Sequence, residues 1–85
     1  MLNEDQRRDG VYTASTGNWA KALAYRARRL KIPLTVILPK DTSIDVIEKI
    51  KDYGATVVLY GENLADAKKQ AFVLMQENGS GIYIN

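Results

Sequence analysis

The sequence predicts an α/β fold: a three-layer, Rossmann-like parallel sheet of four strands in the order 2-1-3-4, with helices on both faces. Three observations lead there. Short β-prone runs alternate with longer segments whose apolar residues recur at spacings of three and four. The run Leu34-Thr35-Val36-Ile37-Leu38 is too apolar for burial on one side only, as in a central parallel strand. Gly, Pro, Asn, Ser and Thr stand at the junctions, where turns and helix ends need them. Strand and helix in strict alternation, joined by right-handed crossovers, give a parallel sheet.

The first strand is Val11 to Ala14, broken by Thr16-Gly17-Asn18. From Trp19 to Leu30 the residues Ala20, Leu23, Ala24, Ala27 and Leu30 form one apolar stripe, with Lys21, Arg26, Arg28 and Arg29 occupying much of the rest. Pro33 ends that helix and pushes Ile32 toward an extended conformation. Pro39 closes the second strand. Thr42 and Asp45 resemble a capping box, and Ile44, Ile47 and Ile50 carry a second helix to Tyr53, where Gly54 supplies the C-cap. Thr56 to Tyr60 is the third strand. Asn63 is the N-cap of a third helix whose inward residues are Leu64, Ala67, Ala71, Leu74 and Met75, and Asn78-Gly79 stops it. Ile82-Tyr83-Ile84 is the fourth strand.

Eighty-five residues make one domain. A chain of this size buries roughly 60% of the surface of its unfolded form, so the core is thin. Twelve Lys and Arg against ten Asp and Glu leave a net charge of +2, too little to argue for nucleic acid or an anionic membrane. There is no Cys and no His, which excludes a thiolate nucleophile, a Ser-His-Asp triad and a His-liganded zinc. No apolar run approaches the roughly 20 residues of a bilayer span, and the polar N-terminus is unlike a signal peptide, so a cytoplasmic setting is expected.

In a doubly wound sheet, ligands bind at the carboxyl ends of the strands beside the switch point, which the order 2-1-3-4 puts between the first and third strands. That address belongs to Thr13-Ala14-Ser15-Thr16-Gly17-Asn18. Gly17 lets the backbone approach a ligand, and the first-turn amides of the following helix lack intrahelical partners. With the hydroxyls of Ser15 and Thr16 and the amide of Asn18, they form a candidate pocket for a carboxylate or phosphate. The same residues also suit a plain N-cap turn. Neither a dinucleotide fingerprint nor a P-loop is present.

Ordered motifs extend along the chain: Thr13 to Ala20, then Ala22-Leu23-Ala24, Leu30-Lys31-Ile32-Pro33, Val36-Ile37-Leu38-Pro39 and Tyr53-Gly54-Ala55-Thr56-Val57-Val58-Leu59. Together they closely resemble the small, mobile subdomain of the fold-type II pyridoxal-phosphate enzymes, in the serine/threonine dehydratase branch. The resemblance covers about Gly10 to Asn85 and implies a lyase of amino-acid metabolism. Such an enzyme removes water or ammonia from the β-carbon of a small amino acid. It implies that Ser15, Thr16, Gly17 and Asn18 hold the substrate carboxylate, and that Asn18 also touches the ring oxygen of pyridoxal phosphate. Fixing the carboxylate would select which bond at the α-carbon lies parallel to the cofactor's π-system.

The sequence departs from that pattern in places. The Schiff-base lysine of the family lies in an upstream Ser-x-Lys-x-Arg stretch and the phosphate-binding glycine loop lies downstream, and neither has a match here. Residues 1–9 are expected to be a leader from a preceding helix or loop, and residues 10–85 the carboxylate-binding subdomain of an enzyme whose large cofactor domain is missing. No residue of the chain is then catalytic, and pyridoxal phosphate is not stably bound by it. Lys40 is the one lysine expected near the cleft and reads as a solvated loop residue. Trp19 follows Asn18 where the dehydratases commonly have His, and Lys31 stands where Gly is usual. If the helix ends left-handed there, Lys31 costs about 1 kcal/mol. Apolar surface left around Trp19 and the strand ends should favour self-association. The alternative is a stand-alone anion- or amino-acid-binding module, or a domain that docks on a partner, without catalysis.

Overall fold

The computed structural model describes residues 10–15, 18–78 and 81–84. Strand β1 (Val11–Ala14) leads to helix α1 (Asn18–Leu30), β2 (Leu34–Leu38), α2 (Ile44–Asp52), β3 (Thr56–Leu59), α3 (Leu64–Asn78) and β4 (Ile82–Tyr83). All neighbouring strands are parallel, with Val11 beside Leu34 and Ile82, and Thr35 beside Thr56. The alternation of elements and the layered α/β class are as the sequence predicts. The expected leader, residues 1–9, lies outside the described residues, as does Gly79.

The strand order is β3-β2-β1-β4, which corrects the expected 2-1-3-4. The pairing of β1 with β2 stands, but β3 lies outside β2 and β4 takes the other side of β1. Helix packing explains the difference. Two right-handed crossovers stepping in one direction put α1 and α2 on the same face. There Tyr25 meets Tyr53 edge-on, ring centroids 5.5 Å apart. Had β3 paired with β1, α2 would have crossed on the opposite face and lost that contact.

The core is accordingly in two parts. On one face Ala20, Ala24 and Ala27 of α1 and Ile50 of α2 pack on Val11, Leu34, Val36 and Leu38. On the other, Ala67 and Ala71 of α3 pack on Tyr12, Ala14 and Ile37. Alternate residues of β1 and β2 thus enter opposite cores, as a strand period of two requires. Alanines at the contact positions let the helices sit close to the sheet. Ile44 is 70% exposed and Leu30 is exposed too, so both apolar stripes fade at a helix end. Leu64 likewise lies outside the core.

Helix ends follow their sequence signals in three cases and depart in one. Asn63 caps α3, its Oδ1 accepting from the Asp66 amide at 3.0 Å. At the end of α2, Gly54 at φ +88° donates to the Lys51 carbonyl (2.8 Å) and Ala55 to that of Ile50 (3.4 Å), a Schellman closure. At the end of α1 the same closure forms with Lys31 at φ +57°: Lys31 donates to Arg28 (3.2 Å) and Ile32 to Ala27 (2.9 Å). The expected capping box at Thr42 is absent. Ser43 is the N-cap of α2 and makes no side-chain cap bond, while the Thr42 hydroxyl donates to the Pro39 carbonyl at 2.7 Å. Bending the chain sharply after Pro39 takes that hydroxyl away from the helix.

Candidate functional site

With β3-β2-β1-β4, the chain steps outward from β1 through β2 to β3, then returns across the other face to β4. The reversal lies between β1 and β4, so the loop after β1 remains at the switch point although its neighbour has changed. The neighbour of β1 on that side is β4 rather than β3.

Local hydrogen bonds fix the pairing of β1 with its neighbours. The Thr13 side chain is fully buried and its hydroxyl donates to the Ile84 carbonyl at 2.7 Å. The Ile84 amide in turn donates to the Tyr12 carbonyl at 2.9 Å. A strand of only two residues is thereby held against β1 one residue past its formal end. On the other side of β1, the Ser15 amide donates to the Ile37 carbonyl at 3.2 Å and extends the ladder with β2.

Of the four sequence-predicted site residues, Ser15 and Asn18 are described, whereas Thr16 and Gly17 lie outside the described residues. Ser15 is buried at the end of β1. Because its amide is bonded within the sheet, any cradle of backbone donors begins after it. Asn18 is exposed as the first residue of α1, where helix amides have no intrahelical partner. It borders a shallow groove between α1 and α2 that Lys21, Tyr25, Lys49 and Tyr53 also line. Trp19 beside it is 43% exposed.

A second opening lies on the same edge of the sheet, at the ends of β2 and β3. Lys40, Tyr60, Gly61, Asp66, Lys69 and Gln70 line a cleft of about 360 Å³. The sequence places Lys40 near a cleft, but Lys69 reads there as a residue of a polar helix face. Their convergence depends on β3 lying next to β2, which local patterning does not reveal. A third hollow, at the opposite edge, is lined by Arg28, Lys31, Tyr53 and Gly54. Among the described residues no group of three carboxylates could hold a metal ion, and no helix is long and apolar enough to cross a membrane.

Comparison with known proteins agrees with this architecture. The family model described as "Pyridoxal-phosphate dependent enzyme" matches residues 1–85. The biosynthetic L-threonine dehydratase of Salmonella typhimurium is 36% identical over 78 residues, covering 92% of this chain and 15% of that enzyme. An L-serine dehydratase/L-threonine deaminase of Mus musculus is 43% identical over 72 residues, 85% of this chain and 22% of the relative. Among solved structures, the processed form of threonine deaminase isoform 2 from Solanum lycopersicum superposes with a TM-score of 0.87 at 32% identity. That match covers 99% of this chain and 24% of the tomato chain. The chain thus spans less than a quarter of these relatives, and with its whole length matched it belongs to the pyridoxal-phosphate dependent enzyme family.

Proposed function

We propose that this chain is the substrate-carboxylate domain of a dehydratase-like enzyme acting on a small hydroxy amino acid such as threonine or serine. Residues 10–85 form that domain, residues 1–9 lead into it, and a large cofactor-binding domain completes the enzyme, which works in the cytoplasm. Ser15, Thr16, Gly17 and Asn18 hold the carboxylate, and Asn18 reaches the cofactor ring. The observation that carries this reading is the position of their loop: it leaves β1 at the point where strand order reverses and opens directly into α1 at Asn18. The relatives, threonine and serine dehydratases, supply the substrate class.

Pyridoxal phosphate, when bound, supplies the electron sink for a carbanion at the α-carbon. The described residues do not by themselves fit that group. A lysine that bonds a carbonyl is activated by desolvation or by neighbouring cations. Every described lysine is exposed except Lys21, which is half-buried on α1. A phosphate cradle needs clustered backbone amides, yet among the described residues the glycines with positive φ are scattered: Gly10, Gly54 and Gly81 precede strands and Gly61 follows one. The part assigned to this chain is therefore binding and orientation. Its amides and hydroxyls hold a negative group and fix the rotation about the bond to the α-carbon.

Titration of the chain with L-serine and L-threonine, followed by amide chemical shifts, tests the binding role. Saturable shifts confined to residues 15–18 and the start of α1, lost in Asn18→Ala, are expected; their absence refutes the assignment. Incubation with pyridoxal phosphate followed by borohydride should leave no single stoichiometric lysine adduct. Such an adduct at one lysine would overturn the inertness of the isolated chain.

A further inference from the structure

We infer that the cleft at the ends of β2 and β3 is an anion site in its own right, suited to a small phosphate or carboxylate group. It does not rest on the loop at residues 15–18. Its lining is rich in donors: the ammonium groups of Lys40 and Lys69, the amide of Gln70 and the hydroxyl of Tyr60. Two cations face a single carboxylate, that of Asp66, and one oxygen of that carboxylate already accepts the Glu62 amide at 3.1 Å. Among the described residues neither ammonium is in an ion pair, so both are available to a ligand. A volume of about 360 Å³ admits such a group together with an organic body, and Val73 offers that body an apolar wall.

The cleft is also held in shape. The Tyr60 amide donates to the Leu38 carbonyl at 2.9 Å and the Lys40 amide to the Gly61 carbonyl at 3.0 Å, tying the two loops together. Gly61 has φ +82°, and a Cβ there would run into the Cβ of Asp66, so the loop lies flat on the first turn of α3. The positive end of the α3 dipole adds to the two lysines. The contrast with the opposite edge of the sheet settles the sign. The hollow there also carries two cations, Arg28 and Lys31, but it faces the carbonyl ends of α1 and α2. Arg28 already donates to one of those carbonyls, that of Asp52, at 3.3 Å. Fixed dipoles oppose an anion at that edge and favour one here.

Amide shifts of the 85-residue chain, titrated at constant ionic strength with inorganic phosphate and separately with acetate, test the site. Saturable shifts centred on Lys40, Gly61 and Gln70 are expected from at least one of the two, and the one that saturates identifies the chemistry. Lys40→Gln with Lys69→Gln should weaken that binding about tenfold. Lys68→Gln, which removes the same charge from α3 outside the cleft, should leave it within about twofold. Shifts that stay linear for both anions, or that spread equally over Lys21, Lys49 and Lys51, overturn the proposal. So does a Lys68→Gln effect equal to that of Lys69→Gln. Failure of serine or threonine to shift residues 15–18 bears on the other site only.

Discussion

Two helices of this chain end in the same backbone closure, one with glycine and one with lysine at the left-handed position, which allows a stability prediction with an internal check. At Lys31, φ +57° puts Cβ close to the following carbonyl, a penalty of about 1–2 kcal/mol for any residue but glycine. Replacement by glycine relieves it, while the unfolded chain gains freedom worth about 0.5–1 kcal/mol. Loss of the Lys31 charge from a helix C-terminus removes a further few tenths of a kcal/mol, about 0.3 at an exposed site. Lys31→Ala separates these effects, because it removes the charge and the long side chain but keeps Cβ. Lys31→Gly should therefore exceed Lys31→Ala in stability by about 1 kcal/mol. Gly54→Ala gives the independent measure. At φ +88° an added Cβ meets nothing within 4 Å, so its cost is conformational alone and should also be about 1 kcal/mol. Thermal and urea unfolding of the parent chain and the three variants by circular dichroism would read each increment as about 4–8 °C in Tm. If Lys31→Gly is no more stable than Lys31→Ala while Gly54→Ala loses the expected amount, the left-handed strain at Lys31 is not real.

Three further outcomes are expected. The Tyr83 hydroxyl is buried without a hydrogen-bond partner among the described residues, while its ring stacks on Phe72 at 4.7 Å, so Tyr83→Phe should raise the urea midpoint or leave it unchanged; a loss above about 1 kcal/mol would reveal a hidden partner. Thr13→Val keeps the shape but leaves the Ile84 carbonyl without its side-chain donor, for a loss of about 1–3 kcal/mol and faster hydrogen exchange at the Ile84 amide; unchanged exchange there would show that the bond does not hold β4. Exposed Trp19 and Tyr25 on α1, with Leu59 and Tyr60 at the end of β3, should make sedimentation concentration-dependent, and Trp19→Gln should reduce that dependence; a chain strictly monomeric at high concentration contradicts it.

What the sequence makes legible is local. Leu34 to Leu38 is apolar throughout and proves to be a central strand, while Gly54 and Asn63 mark helix ends because their chemistry acts on the nearest turn. Thr42 misleads because Thr-x-x-Asp is only permissive of a capping box, and the turn after Pro39 offers its hydroxyl a nearer acceptor. Strand order is beyond local reading. β4 is two residues long and β3 four, and nothing in either marks which edge it takes. The contact of Tyr25 with Tyr53 joins α1 to the C-cap residue of α2, across an intervening strand. Small inward residues on α1, with an aromatic on α1 and another at the C-cap of α2, are the available signal.

The corrected order also determines which functional expectations survive. A loop after β1 lies at a switch point whether β3 or β4 is its neighbour, so its address is robust to the error. Its surroundings are not. With β3 beside β1, the Tyr60–Gly61 turn would have faced the loop proposed to bind through Ser15 and Asn18. With β2 between them, that turn belongs to a separate cleft over α3, and β1 has β4 on its other side. The Ser15 amide bonds Ile37 and so is not among the donors open to a ligand there. The loop proposed at the strand reversal and the cleft proposed between Lys40 and Lys69 should therefore bind independently. A variant that abolishes one should leave the other intact, since sites without shared partners do not couple.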